Sequence, residues 1–206
     1  VDTRRALLRA LAAWVSTGKA PPPSRYPTLA AGDLVAPTPA AMGWPAIPGG
    51  VSPAGKLNQF LDYDFGASFN YVDLSGVMTL QPPRIRRIIS SLVPRVDSDG
   101  NETAGIPSVQ LLVPLGTYTG WNQLQSGYGA GGGCGFVGGF IPFARTEAER
   151  RAAGDPRPSL EARYRDHHGF VARVRIVAAA QVRAGWLLPD DADRIIVQAE
   201  ASDVLR

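Results

Sequence analysis

Eighteen prolines and 23 glycines decide where this chain can be regular. A proline removes a helix hydrogen bond and fixes φ, and a glycine inside an element costs backbone entropy. Both residue types crowd the middle of the sequence and leave its ends comparatively free. Long helices are therefore expected only towards the two ends, with loop and short strand between them. With 206 residues, 45% of them hydrophobic, the chain can bury a core of its own.

The ends bear this pattern. Leu7, Leu8, Leu11, Trp14 and Val15 recur at helical spacing over residues 3–17. Asp2 or Thr3 is placed to cap that helix, and Gly18 stands where a terminating glycine belongs. Pro21-Pro22-Pro23 then forbids helix, so the segment to Pro27 reads as an extended strap across the surface of something else. In the middle, Leu34-Val35 suits a short strand, and one or two more fit between Phe69 and Leu80. Ile88–Val96 and Val109–Tyr118 are the stronger strand expectations, joined by the turn Asp97-Ser98-Asp99-Gly100-Asn101-Glu102.

The C-terminal third is helical by its start signals. Thr146 and Glu149 form a capping box, and the helix they open stops at Gly154-Asp155-Pro156. Ser159 caps a second stretch through Arg165, and a longer one is expected from Gly169 to Arg183, ended by Gly185. A last helix starts near Pro189-Asp190 and runs to about Ala201. The division is a helix over 1–18, a strap and strand-loop region over 19–145, and a helical region over 146–206. A self-contained doubly wound sheet would alternate strands and helices regularly. This chain does not.

Charge excludes some functions. Nineteen of the 21 basic residues are arginines, but they are scattered, the densest run being Arg84-Ile85-Arg86-Arg87. That is not the aromatic-interleaved basic stripe of a nucleic-acid binder. No apolar run is long enough for a membrane span. The single cysteine, Cys134, rules out an intrachain disulfide, and the compartment stays open between cytoplasm and export.

Nucleophilic chemistry finds little support. Gly66-Ala67-Ser68-Phe69-Asn70 has the first glycine of a G-x-S-x-G elbow but not the last, and lacks the strand before and the helix after. Ser68 reads as a loop serine. His167 and His168 are adjacent, point apart on a helix, and have no identifiable nucleophile partner. Cys134 lies in a glycine run that suits close backbone packing better than a lowered thiol pKa. No catalytic residue is assigned.

Two clusters are more site-like. Asp97, Asp99, Asn101 and Glu102 alternate oxygen side chains around a glycine turn, as loops that wrap Ca²⁺ do. A hydrogen-bonded Asx-type turn explains the same residues, and otherwise no cofactor is expected. At the end of the second strand, Tyr118, Thr119, Trp121 and Asn122 could line a substrate pocket or pack into a core with their polar tips satisfied.

The order of several long motifs adds a further reading. The run Ala20-Pro21-Pro22-Pro23-Ser24-Arg25-Tyr26-Pro27 after an amphipathic helix resembles a family of large bacterial "alpha/beta hydrolase domain-containing" proteins. So do Leu92–Asp97, Asp99–Ile106 and Val113–Asn122, followed by Phe140–Thr146, Glu149-Arg150, Gly154–Arg157 and Leu187–Ala192. The resemblance covers nearly the whole chain. It implies a partial α/β fold, and an ester- or amide-hydrolysing serine enzyme of which this chain is a C-terminal portion. The nucleophile and histidine would lie upstream, in the N-terminal part of the same hydrolase, which would be its partner. The ligand would be a small-molecule ester or amide.

Overall fold

A computed structural model describes residues 2–50, 52, 60–122, 126–127 and 138–206. Cys134 lies outside the described residues. Helix α1 (Asp2–Thr17) opens the chain and ends on Gly18, whose N–H donates to the Trp14 carbonyl at 3.0 Å. Asp2 is already inside the first turn, so it is not the cap expected from sequence. Its carboxylate instead accepts from Arg194 at 2.6 Å. Ala6 is the buried residue of α1, while the stripe Leu8, Leu11, Trp14 and Val15 faces outward.

The strap behind α1 carries no regular structure. It crosses the far end of the molecule: a Cβ at Gly185 would sit 2.7 Å from Pro22 Cγ, and Gly185 has φ +78°. Glycine is needed there twice over, for the left-handed turn and for the passage of the strap.

Among the described residues, three two-stranded antiparallel sheets follow. β1 (Leu34–Val35) pairs with β4 (Val93–Pro94), and the short helix α2 (Pro39–Met42) follows β1. β2 (Phe60–Asp64) pairs with β3 (Arg84–Ile89), with an irregularity at Asp62/Tyr63. β5 (Gly116–Thr119) pairs with β6 (Gly139–Pro142) in the register Thr117↔Ile141.

Two strand expectations need correcting. Val109–Leu112 is a single helical turn, α3, because the Ser108 hydroxyl accepts the Leu111 N–H at 3.2 Å and caps it. Only the last third of the expected strand is extended. Ile88–Val96 is likewise divided into the end of β3 and the start of β4, with Pro94 unable to donate to a ladder. Between Phe69 and Leu80 there is one bridge, Phe69↔Gly76.

The C-terminal helices are α4 (Glu147–Ala153), α5 (Leu160–Tyr164), α6 (His167–Arg183) and α7 (Pro189–Ala201). The Thr146/Glu149 capping box is formed on α4, and Ser159 caps α5. α6 begins two residues earlier than expected because the Asp166 carboxylate takes the Gly169 N–H at 2.8 Å. Phe170, Val171, Val174, Val177 and Ala178 of α6 pack with Ala192 and Ala199 of α7, Val109 and Val113 around α3, and Tyr164 of α5. Each fully buried Val or Phe contributes about 1.5–3 kcal/mol, so this helical layer is the main core and α3 and β5 are carried on it. The fold is a partial α/β arrangement: helices with small antiparallel sheets, all described pairings being antiparallel.

Candidate functional site

The loop between β4 and β5 is held by its own side chains. One Asp97 carboxylate oxygen accepts the N–H groups of Asp99 (2.9 Å) and Asn101 (3.0 Å), and the Asp97 backbone pairs with Asn101. Gly100 has φ +79°, and a Cβ there would lie 2.9 Å from Thr117 Cγ2. The turn therefore presses its tip against β5.

Asn101, 1% exposed, acts as a surrogate strand residue. Its Nδ2 donates to the Gly116 carbonyl at 3.1 Å and its Oδ1 accepts the Tyr118 N–H at 2.8 Å. The Thr117 hydroxyl donates to the Asp99 carbonyl, and the Asp99 carboxylate pairs with Arg163 of α5. Glu102 is exposed and bridges Val96 through its backbone. One carboxylate oxygen each of Asp97 and Asp99 and the amide oxygen of Asn101 are thus engaged within the protein. Among the described residues, no group of three or more His, Cys, Asp or Glu side chains is gathered to hold a metal ion.

Arg157, which sequence reasoning passed over, completes this network. It is 2% exposed and donates to the Asp155 carboxylate (2.7 Å), the Thr117 hydroxyl (2.8 Å) and the carbonyls of Ile141 (3.0 Å) and Pro142 (3.1 Å). Burial disfavours the charged Asp155 carboxylate, but the hydrogen bonds and charge of Arg157 outweigh it and hold its pKa below the ordinary value. The Arg157 and Arg163 guanidinium groups both lie over the Phe143 ring, at 5.1 and 4.1 Å. The only sequence signal for this role was Gly154-Asp155-Pro156-Arg157 itself, a turn that brings the two charges two residues apart.

The four residues at the end of β5 part company. Tyr118 stacks on Phe140 at 5.1 Å and its hydroxyl accepts the Leu115 N–H at 3.4 Å. Thr119 is committed to backbone, donating to the Trp121 carbonyl (2.6 Å) and accepting from Gly139 (2.9 Å). Trp121 packs on Trp44 at 5.8 Å, and Asn122 is exposed.

Tyr118 alone of these four lines a cavity of 440 Å³ between α1, α3, α6 and α7. Its walls are largely apolar, with Val113, Phe170, Val174, Trp186, Leu187 and Ile195 among them. Polar residues share the walls, with Thr3, Ser108, Gln110, Gln198 and Ser202 among them. Asp2 and Arg194 are paired with each other, and Arg194 is also 3.1 Å from the Asp191 carboxylate, which takes Arg5 as well at 2.6 Å. Gln181 lines the wall with its Oε1 buried and without a hydrogen-bond partner. Beneath this wall the Tyr164 hydroxyl donates to the Pro114 carbonyl at 2.7 Å, and burial pushes its pKa up to about 12.

The nucleophile and base candidates are elsewhere. Ser68 is exposed in a turn of the long β2–β3 connection, with no helix after it. His168 is exposed. His167 ties the start of α6 to the end of α7, its Nδ1 2.8 Å from the Val204 carbonyl and its Nε2 3.2 Å from the Glu200 carbonyl. Both ring nitrogens face backbone, so this imidazole serves packing.

The sequence profile of a family described as an alpha/beta hydrolase domain matches residues 2–197. The chain belongs to the alpha/beta hydrolase domain family. No curated protein and no solved structure matches it. The match runs from the first turn of α1 to Val197 within α7, so it takes in the Arg157 network and most of the cavity walls. Family membership makes this a hydrolase-like domain and fits the partial α/β fold. No helix of the described residues is long and apolar enough to cross a membrane.

Proposed function

We propose that this chain is the pocket-shaping, C-terminal part of a serine hydrolase of esterase type, with its nucleophile, histidine and oxyanion hole supplied by residues outside the chain. Family membership supports hydrolysis. The single observation that carries the pocket-shaping role is the 440 Å³ apolar cavity walled by elements that the family match covers. Its size falls in the ~300–1,000 Å³ range of small-molecule sites.

Two exposed apolar faces support a neighbouring hydrolase core as the partner. On α1, Leu8, Leu11, Trp14 and Val15 are 50–81% exposed, and on one face of β3, Ile85 and Ile88 are 55–56% exposed. Apolar stripes of this kind on a helix and a strand are the sort that another protein surface covers. The ester would be held with its apolar part in the cavity, and the chemistry would follow the usual serine route: attack on the ester carbonyl, alcohol leaving, then water releasing the acid.

The test is acyl- and alkyl-chain selectivity of the hydrolase that contains this chain. Ile195 is half-buried in the cavity wall. Ile195→Phe is expected to shift preference among 4-nitrophenyl esters towards shorter chains, with kcat on the acetate unchanged. An unaltered preference would remove the cavity from substrate binding.

A further inference from the structure

The charges around the cavity decide what it can hold. Asp2 and Arg194 are the charged residues among its walls, and they are spent on each other at 2.6 Å. Arg194 also serves Asp191, and Asp191 is further held by Arg5. Among the described residues of the walls, the one cation, Arg194, is ion-paired with both Asp2 and Asp191. Bringing a carboxylate into a largely apolar space without an unpaired cation is costly, because its hydration is lost and nothing replaces it.

Among the described residues, one buried side-chain atom in the wall lacks a partner. Gln181 of α6 is 8% exposed, and its carboxamide oxygen is buried with no donor. A buried acceptor left unsatisfied is unfavourable, and native proteins seldom leave one without a reason. The terminal torsion of a glutamine is soft, and turning it over exchanges the amide nitrogen and oxygen, which presents the oxygen to a ligand in the cavity. Trp186, 5% exposed, and Phe170 close the apolar side.

We propose that the cavity binds an uncharged, largely apolar small molecule carrying one hydroxyl or N–H donor, which the Gln181 carboxamide oxygen accepts, and that it rejects the corresponding carboxylate. A medium-chain alcohol is the simplest such ligand. This deepens the reading of the cavity as a substrate pocket and needs no hydrolytic step.

Three probes of the same length separate the terms: 1-octanol, its isomer heptyl methyl ether, and octanoate, each titrated into the purified chain by calorimetry. Octanol is expected to bind about tenfold more tightly than the ether, the value of one net neutral hydrogen bond, and octanoate more weakly than either. Gln181→Leu is expected to bring octanol to the level of the ether and leave the ether unchanged. Ile195→Trp, which fills the cavity from its half-buried edge, is expected to abolish binding of both. Equal binding of octanol and ether by the unmodified chain, octanoate binding as tightly as octanol, or no binding at all would each overturn the proposal. These outcomes do not depend on any serine, so they are separable from a failure of the hydrolase reading, which shows as absent activity in the protein that contains the chain.

Discussion

Asn101→Ala removes both bonds by which the β4–β5 turn is fastened to β5. The Gly116 carbonyl and the Tyr118 N–H lose their partners at a position where the side chain is 1% exposed. Each lost hydrogen bond is worth about 1 kcal/mol net, and a buried group left unsatisfied costs about 1–3 kcal/mol. Some water will enter the space of the missing amide, so the sum is expected near the lower half of the range, about 3 kcal/mol.

Asn101→Asp sharpens the argument. It keeps the acceptor for Tyr118 but turns a carboxylate oxygen against the Gly116 carbonyl. At neutral pH it is expected to destabilise at least as much as alanine. In acid, where a neutral carboxyl can donate to Gly116, part of the difference from the unmodified chain is expected to return. Urea unfolding at both pH values reads this as a shift in midpoint at unchanged slope. A loss under about 1 kcal/mol for Asn101→Ala would refute the fastening role. Stabilisation by Ca²⁺ that disappears with the substitution would refute the assignment of these oxygens to the turn.

Two further perturbations follow from the same geometry. Arg157→Met leaves the Asp155 carboxylate, 6% exposed, without its counter-charge and strips donors from Thr117, Ile141 and Pro142; a loss of about 3–5 kcal/mol is expected in urea unfolding. Glu147 has its pKa lowered to about 2, first by the hydrogen bond from Arg150 and then by Arg151. The folded state therefore favours the ionised form, so its contribution is complete above the ordinary value of 4.5 and is lost as pH falls towards 2. Glu147→Gln is expected to lower Tm at neutral pH and to match the unmodified chain at pH 2, as read by circular dichroism.

Local signals were legible wherever one or two residues decide the structure. Thr146 with Glu149, Ser159, Gly18 and Pro189 mark helix ends by capping chemistry that acts within one turn. The partial α/β class followed from the family motifs, and the loop-rich middle from the distribution of proline and glycine. Val109–Tyr118 misled because β-branched and aliphatic residues suit a buried helical turn as well as a strand, and the Ser108 cap tipped the balance.

The candidate site was legible only in part. Of its four strand-end residues, Tyr118 reaches the cavity, because alternation along β5 sends Thr117 to the Arg157 network and Tyr118 to the other face. The carboxylate turn was visible as a cluster, but whether its oxygens face an ion or the protein depends on Gly116, Tyr118 and Arg163, up to 64 residues away in sequence. Gln181 gave no sign in a helix of alanines and valines. Its significance comes from the cavity, which α1, α3, α6 and α7 build together.

The central claim is that this chain shapes a hydrolase pocket and does not carry the nucleophile. Intact-mass spectrometry of the purified 206-residue chain after treatment with a fluorophosphonate tests it most directly. The expected result is an unshifted mass, under conditions where a control serine hydrolase is fully labelled. A stoichiometric adduct, mapped to Ser68 or to any other serine of the chain, would contradict the account.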